Sequence, residues 1–438
     1  MVAQLGSGGK TLRKRVARSE LGNWKPAPDR PDPLAILQAQ EQDRLPDLLP
    51  IRHERMRASA FGFYRGAAAI MAADLAHVPV TGLHVQLCGD AHLANFGGYA
   101  TPERRVVFDV NDFDETLPGP WEWDVLRLAA SIEVGARDRG VSPSASSTAV
   151  SRAVQTYRLQ IRRYAGMTPL EIWYSRTDVR RIDELRGDTK KGSGEHMPPQ
   201  LVQGQHGVLR FVPDPPLVEP LDASDERVVN GRALIEAYRH SLSAHVRPLI
   251  DRYKVVDFAR KVVGVGSVGT RCYVVLLATE RNEPLLLQLK EATVSVLEAH
   301  LPHSTYVNHA ERVVVGQERM QAASDLFLGW TRSDDGHDFY VRQLRDMKTT
   351  VDLTALSPGG LADYANYCAW ALARAHARTG DPQAIASYLG RSDAFDKAVA
   401  AFARAYGRQN ELDYRAFVES TGSAVKAASK PKRPKRGS

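Results

Sequence analysis

Asp90, Asn95, Asp109, Asp112, Asp114 and Glu115 fall in two neighbouring segments, LCGDAHLANFGGY and VVFDVNDFDETLPGPWEWD. Carboxylates packed this closely repel one another, and burial sharpens the repulsion. Solvated loops tolerate such a cluster, and so do sites where a cation offsets the charge. Much later in the chain, Gly264-Val265-Gly266-Ser267-Val268-Gly269 fits G-x-G-x-x-G. A dinucleotide-binding fold would place a helix after that pattern, but the strand-like CYVVLLA follows it here. Glycine backbone between two strands can lie close over phosphates. Lys290 comes twenty-one residues past Gly269, closing the apolar run LLLQLK. A lysine ending a buried strand is costly unless paired.

The spacings resemble those of the protein-kinase-like superfamily. Asp90 and Asn95 fit D-x-x-x-x-N, where the Asp accepts the substrate proton and the Asn binds magnesium. Asp112-Phe113 follows a strand seventeen residues past Asn95, as suits the second metal-binding Asp. CGDAHLANF, then DFDE, then a Trp-Asp pair is similar to the aminoglycoside phosphotransferase and choline kinase branch. The resemblance implies that Asp124 braces the catalytic loop and that Lys290 holds the nucleotide phosphates beneath Gly264, Gly266, Ser267 and Gly269. It also implies a helix glutamate paired with Lys290. Glu298, Glu311 and Glu318 are candidates, and Glu311 has the most usual separation. Arg271 stands where kinases usually have Val, two residues after Gly269.

The order is reversed for an ordinary kinase, with the glycine hairpin about 170 residues after the catalytic-loop motif. Asp381, in HARTGD, fails as an alternative catalytic Asp because Ala386 stands where Asn is required. The simplest account is circular permutation, which surface termini permit. It expects the helix at 361–378 to dock beside residues 80–90. Over nearly its whole length the chain is also similar to a bacterial family, domain of unknown function 2252. RMRASAFGFYRG, LCGDAHLANFG, FDVNDFDETLPGPWEWD, GVGSVGTRCYVVLL, LQLKEA, YVRQLRDMK and ARAHARTGD carry that likeness.

These residues need elements to position them. Helical patterns occur in 33–77, at 121–139, 144–165, 226–250, 308–323, 361–378 and 393–418. Strand patterns occur at LHVQLCG, RRVVFDV, three times within 259–290, and at DFYVRQL. The polar, Gly/Pro-marked stretch 186–200 reads as a mobile loop. The expected fold is α+β: a circularly permuted, kinase-like two-lobed fold with a small antiparallel β lobe and a larger helical lobe. Its parts are a basic N-terminal arm (1–32), a helical lobe with the catalytic loop and metal segment (33–250), a nucleotide-binding β lobe (251–346), returning helices (347–420) and a disordered basic tail (421–438).

With 438 residues, 43% of them hydrophobic, the chain has ample material for a core. Its three cysteines are widely separated and odd in number, which suggests a reducing, cytoplasmic setting. No signal peptide or membrane span is expected. Residues 426–438 carry six Lys or Arg and residues 1–18 carry five, with no acid in either, so the formal +7 leaves −4 for the body. That argues against a broad nucleic-acid surface, although the tail could touch an anionic partner.

Some patterns mislead. GSGGKT resembles a phosphate-binding loop, but Gln4 occupies the place of its first glycine. Asp90-Ala91-His92 lacks the further motifs of a metallophosphatase, and His92 reads as loop packing. Arg65 could reach a phosphate or form a helix-surface ion pair. Trp121 and Trp123 read as core. The expected activity is ATP- and Mg²⁺-dependent phosphotransfer to a hydroxyl, most simply on a small molecule. Asp90 would be the base, and Asn95 and Asp112 the metal ligands. AMP transfer to a protein on the same fold, and a non-catalytic nucleotide-binding scaffold, are the rivals.

Overall fold

The structure is a computed structural model that describes residues 2–177, 201–205, 208–222, 224–344 and 351–428. It is an α+β protein with small antiparallel sheets and a larger helical part. Five helices come first: α1 (Val2–Arg15), α2 (Pro33–Glu41), α3 (Leu49–Arg57), α4 (Ala60–Gly66) and α5 (Ala68–Leu75). Strands β1 (His84–Leu87), β2 (Phe96–Ala100), β3 (Val106–Val110) and β4 (Leu117–Pro120) follow, with β1 paired to β4 and β2 to β3. Helices α6 (Trp121–Asp138), α7 (Pro143–Tyr164) and α8 (Pro169–Tyr174) come next, then β5 (Val202–Gln205), β6 (Val208–Phe211) and β7 (Val218–Pro220). After α9 (Glu226–Tyr238) and α10 (Arg247–Ile250) come β8 (Lys254–Lys261), β9 (Cys272–Ala278) and β10 (Pro284–Ala292). The chain continues with α11 (His309–Met320), β11 (Gly329–Arg332), β12 (Asp338–Gln343), α12 (Pro358–Thr379), α13 (Pro382–Leu389) and α14 (Ala394–Ala428).

Local chemistry sets several of these boundaries. Helices α7 and α12 both begin Ser-Pro, and Ser142 and Ser357 accept from the amides of Ala145 and Gly360. Proline supplies the first-turn φ, and serine satisfies an orphan donor. Asp381 caps α13 in the same way, accepting from Gln383 and Ala384. Helix α6 is buried from Trp121 to Ala136 and forms the axis of the helical part. Trp121 stacks on Tyr157 of α7 with ring centroids 5.8 Å apart, so it is core, as is Trp123. Helix α12 ends against β1, where the Gln86 amide donates to Thr379 Oγ1 at 3.1 Å. The segment 361–378 therefore docks beside residues 80–90.

The two basic ends differ from their expected form. The first helix packs on α13, and Arg13 and Arg18 donate to the carbonyls of Tyr388 and Leu389. A helix C-terminus attracts cations, so part of the N-terminal charge is structural. Helix α14 runs to Ala428, past the expected start of the tail at 421. The expected loop at 186–200 and the tail residues 429–438 lie outside the described residues.

The main sheet has six antiparallel strands in the order β11-β12-β10-β9-β8-β7. Strand β10 is buried at every position after Pro284. Its Leu285, Leu287 and Leu289 pack in one cluster with Tyr238 and Phe258, while Leu286 packs in another with Val274 and Leu276. Side chains alternate along a strand, so Leu286, Gln288 and Lys290 share a face. The register sets Lys290 opposite Tyr340 and Gln288 opposite Arg342 on β12. This pairing brings the lysine to a cleft.

Glu122, in the first turn of α6, is buried and accepts from the amide and hydroxyl of Thr81. Its second oxygen has no partner among the described residues. Burial outweighs the Thr81 bonds and pushes its pKa up from 4.5 to about 7. The folded chain then binds more protons than the unfolded chain between these values, so stability falls as pH rises from about 4.5 to about 7. We expect Glu122→Gln to remove up to about 3 kcal/mol of that loss. Urea unfolding of both proteins at pH 5 and pH 7.5 checks it; parallel losses in the two would contradict the assignment.

Candidate functional site

The β2–β3 hairpin explains how Asn95 and Asp112 meet. Phe96 pairs with Val110, and the Asn111 amide donates to the Asn95 carbonyl at 2.8 Å. Asn95 thus sits just before one strand, and Asp112 just beyond the end of the other. The loop before Asn95 is held from below. Asp124 accepts from the amides of Cys88 at 2.8 Å and Gly89 at 3.1 Å, and His376 of α12 touches the same carboxylate at 3.2 Å. The brace at Asp124 is therefore in place. Gly89 has a φ of +84°, and a Cβ there would overlap the Glu115 carbonyl, so only glycine fits this turn.

Asp90 points its carboxylate at Arg127, whose Nε lies 2.8 Å from Oδ1. Arg127 is 3% exposed. Burial alone would lower its pKa, but Tyr64 and Asp90 outweigh burial and hold it fully charged. The contact fixes the direction of the Asp90 carboxylate, which suits it to orienting a hydroxyl. Asn95 Nδ2 donates to the Asp90 carbonyl at 2.8 Å, which leaves its Oδ1 to accept or ligate. His92 is buried and 3.6 Å from Asp90, and burial depresses its pKa to about 4. It packs as a neutral ring.

Lys290 is 2% exposed and pairs with Asp112 at 3.5 Å and, more closely, with Asp114. Burial would push its pKa down; the two carboxylates win and hold it well above the ordinary lysine value. Asp114 also accepts from Tyr340 Oη at 2.8 Å and Ser267 Oγ at 3.1 Å. It joins the lysine strand, its neighbour strand and the glycine turn at one carboxylate. Glu311 does not pair with Lys290; it lies in the first turn of α11, behind the Asn308 cap. The helix is tied instead by Arg312, which donates to the carbonyls of Asp114, Thr116 and Thr293. Glu298 caps its own short turn at Ser295 and is not the partner either. Arg271 pairs with Glu291 at 3.0 Å, outside the glycine turn.

The turn from Gly264 to Gly269 is pinned from one side. Arg52 donates to the carbonyls of Val265 and Gly266, Arg55 to that of Gly264 and Arg44 to that of Val268. Val265 and Val268 sink into small apolar clusters beside α2 to α4. Gly264 and Gly269 take φ values of +60° and +96°. With the carbonyls so engaged, the amides of Gly264, Val265, Gly266 and Ser267 donate to nothing among the described residues. Successive free amides of this kind make an anion-binding concavity.

Two adjoining hollows result. An inner one of about 90 Å³ is lined by Asp90, Asn95, Asp112, Asp114 and the turn. An outer cleft of about 640 Å³ shares Asn95, Asp112, Gly264 and Ser267 with it and adds Lys290 and Arg342. Arg342 donates to Gln288 and to the Asn111 carbonyl, each at 3.1 Å. The structure thus brings together Asp90, Asn95, Asp112, Gly264, Gly266, Ser267 and Lys290, and leaves Glu311 out. Gly269 closes the turn against Arg44. Sequence reasoning missed Arg127, Tyr340 and Arg342, and left Asp114 as one acid of the cluster with no partner assigned. The repeat of Asp at 112 and 114 was the available signal for Asp114.

Asp109 belongs elsewhere. It is fully buried, pairs with Arg374 and accepts from the Ala322 amide at 2.9 Å. Glu115 accepts from the Val296 amide at 2.7 Å, and burial pushes its pKa up to about 7. No group of three or more His, Cys, Asp and Glu side chains at metal-ligand spacing occurs among the described residues. Asn95 and Asp112 offer hard oxygen donors, a pair that suits a cation completed by phosphate oxygens and water.

No helix among the described residues is long and apolar enough to cross a membrane. No curated protein and no solved structure matches the chain. Residues 44–420 match the model of a family described as "Uncharacterized protein conserved in bacteria (DUF2252)". That match runs from before α3 into α14 and spans the β2–β3 hairpin, the glycine turn and the lysine strand, and the chain belongs to this bacterial family.

Proposed function

We propose that the chain is an ATP- and Mg²⁺-dependent phosphotransferase of kinase-like, circularly permuted build, acting on a hydroxyl-bearing acceptor. One observation carries this reading. Asp90, Asn95 and Asp112 share adjoining hollows with a glycine turn and a lysine that lie 152 to 200 residues away in the chain. The succession of glycine turn, lysine strand and helix in one antiparallel sheet supports it. So does the docking of α12 beside β1, which the permuted order requires.

The free amides of the turn and Lys290 would hold the phosphates, and Asn95 and Asp112 would hold Mg²⁺. Bound there, the ion would neutralise phosphate charge and orient the terminal group. Asp90, fixed by Arg127, would align the acceptor hydroxyl. The acceptor oxygen bonds to the terminal phosphorus as the bond from phosphorus to the bridging oxygen breaks. The bridging oxygen keeps that electron pair, and the hydroxyl proton passes to Asp90. Positioning and electrostatics supply most of such a reaction's acceleration.

The test is thermal. We expect ATP with Mg²⁺ to raise the melting temperature of the folded chain, and ATP with EDTA to give a smaller shift. No shift with any nucleotide would overturn the reading. Incubation with ATP and candidate hydroxyl compounds, followed by mass measurement, then distinguishes a gain of phosphate from a gain of AMP.

A further inference from the structure

Arg65 stands apart from the other cations of the site. Among the described residues Lys290 is paired with Asp112 and Asp114, Arg127 with Asp90 and Arg271 with Glu291. Arg44, Arg52 and Arg55 spend donors on the carbonyls of the glycine turn. The Arg65 guanidinium makes no hydrogen bond or ion pair among the described residues, and its Nε is buried without a partner. It nonetheless lines both hollows, in company with Asn95, Asp112, Gly264 and Ser267. A half-buried guanidinium with five donors and none used is an unbalanced element unless an anion meets it.

Its backbone is fixed where such an anion would lie. Arg52, fully buried, donates to the carbonyl of Gly66 at 2.9 Å and to those of Val265 and Gly266. That one side chain ties the end of α4 to the glycine turn. A Cβ on Gly266 would sit 3.4 Å from the Arg65 carbonyl. Arg65 thus lies against the glycine turn and shares the inner hollow with Asp90. Burial lowers its pKa, while Asp90 and Asp112 raise it. Both carboxylates are near enough to favour the cation, yet neither binds it.

We propose that Arg65 receives the terminal phosphoryl group of the bound nucleotide and stabilises its charge during transfer. This rests on the phosphotransferase reading above. A planar fork of donors matches phosphoryl oxygens, and cations aimed at transferring phosphoryl groups are a recurrent source of catalysis. Lys290, at the sheet, would take the inner phosphates, and Arg65, beside Asp90, the outer one.

The experiment compares Mg·ADP with a magnesium-bound, non-hydrolysable ATP analogue by calorimetry, in wild type, Arg65→Ala and Arg65→Lys. We expect Arg65→Ala to weaken the analogue on the order of 10- to 100-fold, the size of a charged hydrogen-bond contact. Binding of Mg·ADP should change less than about twofold, and Arg65→Lys should recover part of the loss. Unliganded melting curves of each variant establish that it is folded. Equal loss for both nucleotides, or loss for neither, overturns the role of Arg65 while leaving the ATP site standing. Failure of folded wild type to bind either nucleotide overturns the phosphotransferase reading, and this inference with it.

Discussion

Asp112→Asn is expected to abolish the magnesium-dependent part of the ATP-induced melting shift and to lower phosphotransfer on the order of 10³-fold or more. The effect should be almost wholly functional. The Asp112 side chain is 32% exposed, and its Lys290 contact is the longer of that lysine's two, so its loss strands no deeply buried charge. Asparagine keeps the shape and removes the anionic oxygen that a hard cation prefers. Lys290→Ala should also remove the shift, but at a cost in stability. Among the described residues it leaves Asp114 with Tyr340 and Ser267, its cation gone from a strand buried at every position after Pro284. The pair of variants therefore separates the metal from the phosphate contact. An Asp112→Asn protein that keeps the full magnesium-dependent shift would sink the metal assignment. Equal unliganded melting temperatures for Asp112→Asn and wild type are the control.

The spacing from Asp90 to Asn95 is short and local, so it survives in any fold that keeps the loop. The place of Asp112 was legible for a similar reason, since a strand, a turn and a returning strand bring the ends of a hairpin together. The lysine was legible because a charge that closes an apolar strand must find a partner. Which partner it finds depends on the packing of segments remote in sequence. Sequence spacing favoured Glu311 on the following helix, whereas the fold delivers Asp114 from the hairpin side, with Tyr340 fixed opposite Lys290 by strand register. Arg127 was hidden among ordinary positions of a helix that is buried on all sides. Asp109 shows the opposite error. It sits among site acids, and β3 is buried from Val107 onward, so alternation gives no warning that this acid points away from the cleft.

Arg374→Ala is expected to cost about 3–5 kcal/mol of folding stability, because it leaves the Asp109 carboxylate buried and unpaired. Both residues are fully buried. Among the described residues Asp109 keeps the Ala322 and Val110 amides, and Arg374 also donates to the Met320 carbonyl at 2.8 Å. The pair thus fastens the β2–β3 hairpin, which carries Asn95 and Asp112, to α12 and to the end of α11. Yet Nε and Nη1 of Arg374 have no partner among the described residues, so the ion pair is itself imperfectly compensated. This asymmetry gives a second expectation. Asp109→Asn combined with Arg374→Met removes both charges and fills most of the volume, and it should cost less than Arg374→Ala alone. Urea unfolding of the three proteins measures both. A double variant that loses as much as Arg374→Ala, or more, would contradict the coupling. A small loss for Arg374→Ala would mean that water reaches the Asp109 carboxylate, which its complete burial in the folded chain opposes.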